Sequence, residues 1–300
     1  MRTYYKQFYF SATHSSSFSF LVTFCLLTFV LNSCQLPEKT NPETQNKTAG
    51  LKQTASKPNY TDSIETEIDM PDYPGRAPLS FFAPDSVEIH AVLFHQGNSL
   101  PVMVLCHQAQ SSKEEYEAIA SRLNLLGFNC LAIDQRSGGT ALGGNNQTAE
   151  NALKRNMPTD YINAEQDIIT AIDYAANLYK RPVILVGSSY SASLALKIGC
   201  QNTKVTAIAC FSPGEYFENQ GNHFIKNSMG NACKKPLFIT SSNTEEPEAA
   251  YFITASAANY KTQFIPKQEG IHGARALWVS TPNNEEYWQA FETFLKDLPK

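Results

Sequence analysis

From residue 101 to the C-terminus, short apolar runs alternate with longer stretches whose apolar residues recur at helical spacing. That alternation constrains the fold more than any other feature of the chain. "PVMVLCH" (101–107) and "PVILVGS" (182–188) are continuous apolar runs, as expected of strands covered on both faces. "FNCLAIDQR" (128–136), "VTAIACFSP" (205–213), "PLFIT" (236–240) and "KTQFIP" (261–266) read as further strands. Helical spacing marks 112–127, closed by Gly127, and also 160–179, 191–200, 246–260 and 285–298. Two opening strands, 78–83 and 87–95, are joined by the turn Pro84-Asp85-Ser86. Such an order predicts an α/β fold with a mostly parallel central sheet and helices on both faces. Residues 137–159 form the one long connection. They read as a structureless lid over the working end of the sheet, with Gly138, Gly139, Gly143 and Gly144 as punctuation and Arg136 and Asn145 near its mouth.

Upstream, the composition changes. Arg2 and Lys6 precede the apolar run 18–31, which is short for a transmembrane helix and leads into Leu31-Asn32-Ser33-Cys34. That tetrad resembles a bacterial lipobox. The resemblance implies a signal peptide over 1–33, lipidation at Cys34 and a membrane-anchored protein of the bacterial cell envelope. More than one acyl chain makes such an anchor stable. Residues 34–76 are rich in Pro, Thr, Asn, Lys and Glu and show no apolar period, so they read as a flexible tether. Residues 77–300 are left as one domain. The net charge of −4 is scattered, with no basic stripe for nucleic acid. Beyond Cys25 and Cys34 stand Cys106, Cys130, Cys200, Cys210 and Cys233. This odd number, without a CxxC pair, argues against both a metal site and a disulfide framework.

The chemistry centres on Gly187-Ser188-Ser189-Tyr190-Ser191, between an apolar strand and a helix. Sites in parallel sheets form at the carboxyl ends of strands, which is where Ser189 falls. The G-x-S-x-G elbow places a nucleophilic serine on such a turn. Here Ser191 stands at the last glycine position. Serine needs a base, and the base needs an orienting acid. His272, in the Gly-flanked loop after the last strand, is the expected base. Glu245, after the strand 236–240, is the expected acid, and Glu215 in "FSPGEYF" is its rival. The Tyr190 amide supplies one oxyanion donor. Ser188 reads as indifferent, so Ser188→Ala is expected to be mild. His107 reads as a brace for the loop that follows it.

These residues together resemble the dienelactone-hydrolase-like branch of the α/β-hydrolase superfamily. "HQAQSSKEEY" is similar to that branch's H-G-x-x-G-S-x-x-x-Y oxyanion loop, and "GFNCLAIDQRSGG", "GSSYSA" and "GIHG" complete the likeness over about 79–297. The resemblance implies an α/β-hydrolase fold and a Ser189–Glu245–His272 triad. It makes Ala109 the second oxyanion donor, with Gln108 as fallback. Gln108, Arg136 and Gly138 are the expected pocket residues. True dienelactone hydrolases carry a nucleophilic Cys, whereas Ser189 points to ordinary small-molecule carboxylic esters, hydrolysed without cofactor or metal. The other reading is a decayed hydrolase fold serving as a binding module.

Overall fold

A computed structural model describes residues 74–229 and 233–298. The readings of the signal segment, Cys34 and the tether lie outside these residues. Eight strands form one sheet in the order β1-β2-β4-β3-β5-β6-β7-β8. They are β1 (Gly75–Phe82), β2 (Glu88–His95), β3 (Val102–Cys106), β4 (Asn129–Ile133), β5 (Val183–Ser188), β6 (Val205–Phe211), β7 (Leu237–Thr240) and β8 (Lys261–Phe264). Only the β1–β2 and β2–β4 pairings are antiparallel; the rest are parallel. The helices are α1 (Glu117–Leu125), α2 (Gln147–Lys154), α3 (Ala164–Tyr179), α4 (Tyr190–Gln201), α5 (Phe224–Met229), α6 (Glu246–Ala255) and α7 (Asn284–Lys296).

Every residue of β3, β4 and β5 is buried, because helices cover both faces of the sheet. The side chains divide by strand alternation. Val102, Val104, Leu131, Ile133, Val183 and Leu185 pack into the core that includes α3 and α4. Met103, Leu105, Cys130, Ala132, Ile184 and Val186 pack with α1 and α7 on the other face. Helix α7 buries Tyr287, Trp288, Phe291, Phe294 and Leu295, a stripe at helical spacing. Each such side chain contributes about 1.5–3 kcal/mol on full burial.

Two expectations from the sequence need correction here. The connection 137–159 is not structureless: it contains α2, whose first turn Asn146 caps by accepting from the Ala149 amide at 2.7 Å. The first part of the connection lies beside the loop after β3, through Gly139 N–H to Ser111 O and Ala141 N–H to Gln110 O. Helix α2 instead anchors to β2, where Thr148 Oγ1 accepts from the His90 amide. The short helix α5 lies in a largely polar segment, too short to carry a clear helical period in the sequence. The cysteines also hold a disulfide, Cys200–Cys233, between α4 and the approach to β7. An odd count concealed it because Cys106, Cys130 and Cys210 are free thiols buried in the core.

Candidate active site

The carboxyl ends of β3, β5, β6, β7 and β8 bring five loops together. Ser189 follows β5 with φ 58° and ψ −125°, a backbone conformation that costs a non-glycine residue about 1–3 kcal/mol. The turn admits no side chain at Gly187. A Cβ there would lie 2.4 Å from Ser191 O and 2.6 Å from Ala192 N and Cα. At the usual glycine position, Ser191 is accommodated because its hydroxyl is used. It accepts from the Ser188 amide at 3.0 Å and lies 2.7 and 2.8 Å from the carbonyls of Cys106 and His107, tying the elbow to β3. Helix α4 starts at Tyr190, so that residue's amide stands at the positive end of a helix. Ser189 is 7 % exposed.

His272 lies in the loop after β8, and its Nδ1 bonds to Glu245 Oε1. Glu245 ends the turn after β7 and is held from several sides. Its Oε2 accepts from the hydroxyls of Ser212 and Ser242, both at 2.8 Å, and from the Ser242 amide at 3.2 Å. Burial disfavours its charge, but the His272 bond and charge and the two hydroxyls outweigh this and hold the carboxyl at about 2. Ser212 also accepts from the Gly273 amide at 2.9 Å, which fastens the histidine loop to the same acid. The rival Glu215 is engaged elsewhere, accepting from the amides of Ile225 and Lys226 at the start of α5.

The loop after β3 is braced by His107, as the sequence suggests. His107 is fully buried, its Nδ1 lies 2.8 Å from Gln108 O, and its Nε2 accepts from the Gln135 amide at 2.9 Å. Burial lowers its pKa, which keeps the ring neutral and suited to both bonds. Gln135, not anticipated, also reaches the Tyr190 hydroxyl at 3.0 Å. The Gln108 amide donates to Glu115 Oε2 at 2.7 Å, which takes it out of contention as an oxyanion donor. The Ala109 amide has no acceptor among the described residues. Ser188 is not indifferent: it is fully buried, donates to Glu115 Oε1 at 2.7 Å and accepts from the Ala274 amide at 2.8 Å. No local signal announces Glu115, since "KEEY" reads as a helix start.

Two open clefts flank Tyr216 at this end of the sheet. One, of about 610 Å³, is lined by Thr159, Tyr161, Ile162 and Phe217 among others. The second, of about 580 Å³, touches Glu245, Pro247, Glu248 and Tyr251. The Tyr216 hydroxyl donates to Ser212 O at 3.0 Å. Burial and the nearby Glu245 charge push its pKa up to about 12. Two expected pocket residues belong elsewhere. Arg136 is fully buried and paired with Asp167 and Asp85, so it holds α3 to the β1–β2 turn. Gly138 lies under Asn146, where a Cβ would meet Nδ2 at 1.8 Å. Gln108 is half-buried beside the histidine loop, where a Cβ at Gly273 would lie 3.2 Å from its Oε1. Among the described residues no group of three or more His, Cys, Asp or Glu could hold a metal ion.

No protein-family model matches the chain, and no curated protein is similar enough in sequence to match it. Solved structures do resemble it. An esterase of Pyrococcus furiosus, Pf2001, is 18 % identical over 75 % of this chain and 93 % of that one, with a TM-score of 0.58. The dienelactone hydrolase of Anabaena variabilis is 15 % identical over 76 % of this chain and 99 % of that one, with a TM-score of 0.58. Est1E of Butyrivibrio proteoclasticus, solved with ferulic acid, is 13 % identical over 73 % and 98 %, with a TM-score of 0.55. Identities this low speak to architecture alone. The strand order, the helices on both faces and these likenesses together establish that the chain has the α/β-hydrolase fold.

Proposed function

We propose that the protein is a serine hydrolase that cleaves small-molecule carboxylic esters through an acyl-enzyme. The observation that carries this reading is the positive-φ Ser189 elbow after β5, together with a His272–Glu245 pair in the loops after β7 and β8 at the same edge of the sheet. Because ionised Glu245 only accepts, His272 carries its proton on Nδ1 and leaves Nε2 as the base. Ser189 Oγ attacks the ester carbonyl while Nε2 takes its proton. The Tyr190 and Ala109 amides hold the oxyanion that forms. The intermediate collapses, the C–O bond to the alcohol breaks, and His272 returns the proton to the departing oxygen. Water then attacks the acyl-enzyme by the same route and releases the acid. The esterase neighbours support this substrate class.

The proposal extends to place. Lipidation at Cys34 anchors the protein to a membrane of the bacterial envelope, and the Cys200–Cys233 disulfide suits an exported protein. Clickable fatty-acid labelling should mark the wild-type chain and not Cys34→Ala; equal labelling of both would remove the anchor. For the chemistry, a fluorophosphonate probe and p-nitrophenyl acetate and butyrate are applied to wild type and Ser189→Ala. Labelling and turnover are expected in wild type only. If both are equally inert, the chain is a binding module on a hydrolase fold.

A further inference from the structure

Glu115 is a carboxylate that the proposed reaction leaves unused, yet it is 2 % exposed and lies between the loops that would carry it out. Its Oε1 accepts from Ser188 Oγ at 2.7 Å, one residue before Ser189. Its Oε2 accepts from the Gln108 amide at 2.7 Å, one residue before Ala109. Ser188 Oγ in turn accepts from the Ala274 amide at 2.8 Å, two residues beyond His272. The Glu115 carbonyl accepts from Trp278 Nε1 at 2.8 Å, so the residue is fixed through its backbone as well. The histidine loop is pressed onto this cluster: a Cβ at Gly273 would lie 2.6 Å from Ser188 Oγ.

We propose that ionised Glu115 is a positioning residue of the hydrolase site, one carboxylate that holds the oxyanion loop, the nucleophile elbow and the histidine loop in mutual register. This rests on the hydrolase reading above. The charged form matches the donors around it by proton counting. A carboxylate only accepts, so both of its oxygens suit the two donors aimed at them. Ser188 has a single proton; giving it to Glu115 leaves its lone pairs for the Ala274 amide. A protonated Glu115 would place a hydrogen where one of those donors already points. Either the Gln108 amide would lose its acceptor, or Ser188 would have to turn its own proton away from Glu115.

The switch falls in the working range. Burial pushes the Glu115 carboxyl up to about 7, against the pull of the Gln108 amide, the Ser188 hydroxyl and the charges of Arg275 and His272. From its own turn, the Tyr116 phenol is driven well above its ordinary range by burial and by the Glu115 charge. At the end of β3, burial keeps the Cys106 thiol and the His107 ring neutral. Arg275 is therefore the standing cation that favours ionised Glu115, with His272 adding to it only in its protonated form.

The side-chain amide of Glu115→Gln resembles the protonated acid, because it accepts on one side only. Glu115→Gln and Ser188→Ala are each expected to lower kcat on p-nitrophenyl butyrate about tenfold to a hundredfold at about pH 8, with KM changed less than about threefold. The double variant should be no worse than either single one, since both break the same link. Independently of turnover, the amide resonances of Gln108 and Ala274 in inactive Ser189→Ala should shift together, with a midpoint near the Glu115 value of about 7. That shared shift should vanish when Glu115→Gln is added. If Glu115→Gln does not fold, Ser188→Ala and the amide titration still decide. Wild-type kcat in the variants, additive losses, or amides without a common midpoint in an active enzyme would overturn the proposal alone. An inert wild type would overturn the hydrolase reading and the proposal with it, whatever the amides do.

Discussion

Glu115 and Glu245 are both drawn in at the carboxyl edge of the sheet, and both fasten the loop that bears His272. Glu245 does so through Ser212 and the Gly273 amide, Glu115 through Ser188 and the Ala274 amide. Their protonation nevertheless diverges, to about 2 for Glu245 and about 7 for Glu115. Burial raises both. Two things differ: Glu115 is enclosed whereas the Glu245 side chain is partly exposed, and Glu245 bonds the His272 ring and two hydroxyls whereas Glu115 bonds one hydroxyl and one amide. One hydroxyl and one amide do not offset the complete desolvation of Glu115, whereas at Glu245 partial exposure, the His272 bond and two hydroxyls outweigh it. One carboxylate is thus locked in its charged state, and the other is left poised.

The comparison breaks most severely at His272. His272→Ala removes the proposed base and the Glu245 partner together. On the proposed reading, ester cleavage is expected to fall on the order of a millionfold, by analogy with a serine protease. The Glu245 carboxyl should rise from about 2, which a carboxyl-carbon NMR titration would show. Next comes Glu245→Gln, expected to cost on the order of ten-thousandfold in kcat because the imidazole loses its orienting charge. Steady-state kinetics on p-nitrophenyl acetate would measure it.

The third effect is on stability, and the two carboxylates contribute with opposite sign. Glu115 has a folded pKa above its ordinary value of 4.5, so the folded chain binds more protons than the unfolded one between about 4.5 and 7. Stability from this group therefore falls by about 3 kcal/mol as pH rises through that window, then levels off. Glu245 has a lowered pKa, so its contribution is present above 4.5 and is lost as pH falls towards about 2. Urea unfolding at about pH 5 and 8 should show the Glu115 slope in wild type and not in Glu115→Gln. The smallest effect belongs to Glu215→Gln. It should leave kcat within about twofold and cost about 1 kcal/mol of thermal stability, as a loss at the start of α5. A larger loss of activity there than in Glu245→Gln would reverse the assignment of the acid.

Much of this architecture is written locally. The apolar runs at 101–107 and 182–188 are long enough to require cover on both faces, and β3 and β5 are buried throughout. Gly187 and the small residues around Ser189 mark a tight strand-to-helix turn, and the turn is there. The helix α2 was concealed because it is short and starts in a polar segment, so its period is weak. Arg136 departs from its expected place for a different reason. An arginine after a strand reads as a polar residue at the mouth, and only Asp85 and Asp167, 51 and 31 residues away, draw it into the interior.

By itself, then, the sequence determined the alternation of strands and helices, the elbow at Ser189 and the position of His272 after the last strand, because these are properties of neighbouring residues. Tertiary structure alone decided which glutamate meets His272, what Ser188 is for, why Ser191 is tolerated, and that Cys200 finds Cys233. Each depends on groups brought within hydrogen-bonding or bonding distance across long stretches of chain: 27 residues for His272 and Glu245, 73 for Ser188 and Glu115, 33 for the cysteines. Directional polar contacts at that range leave no periodicity in the chain, and only the packed sheet sets them.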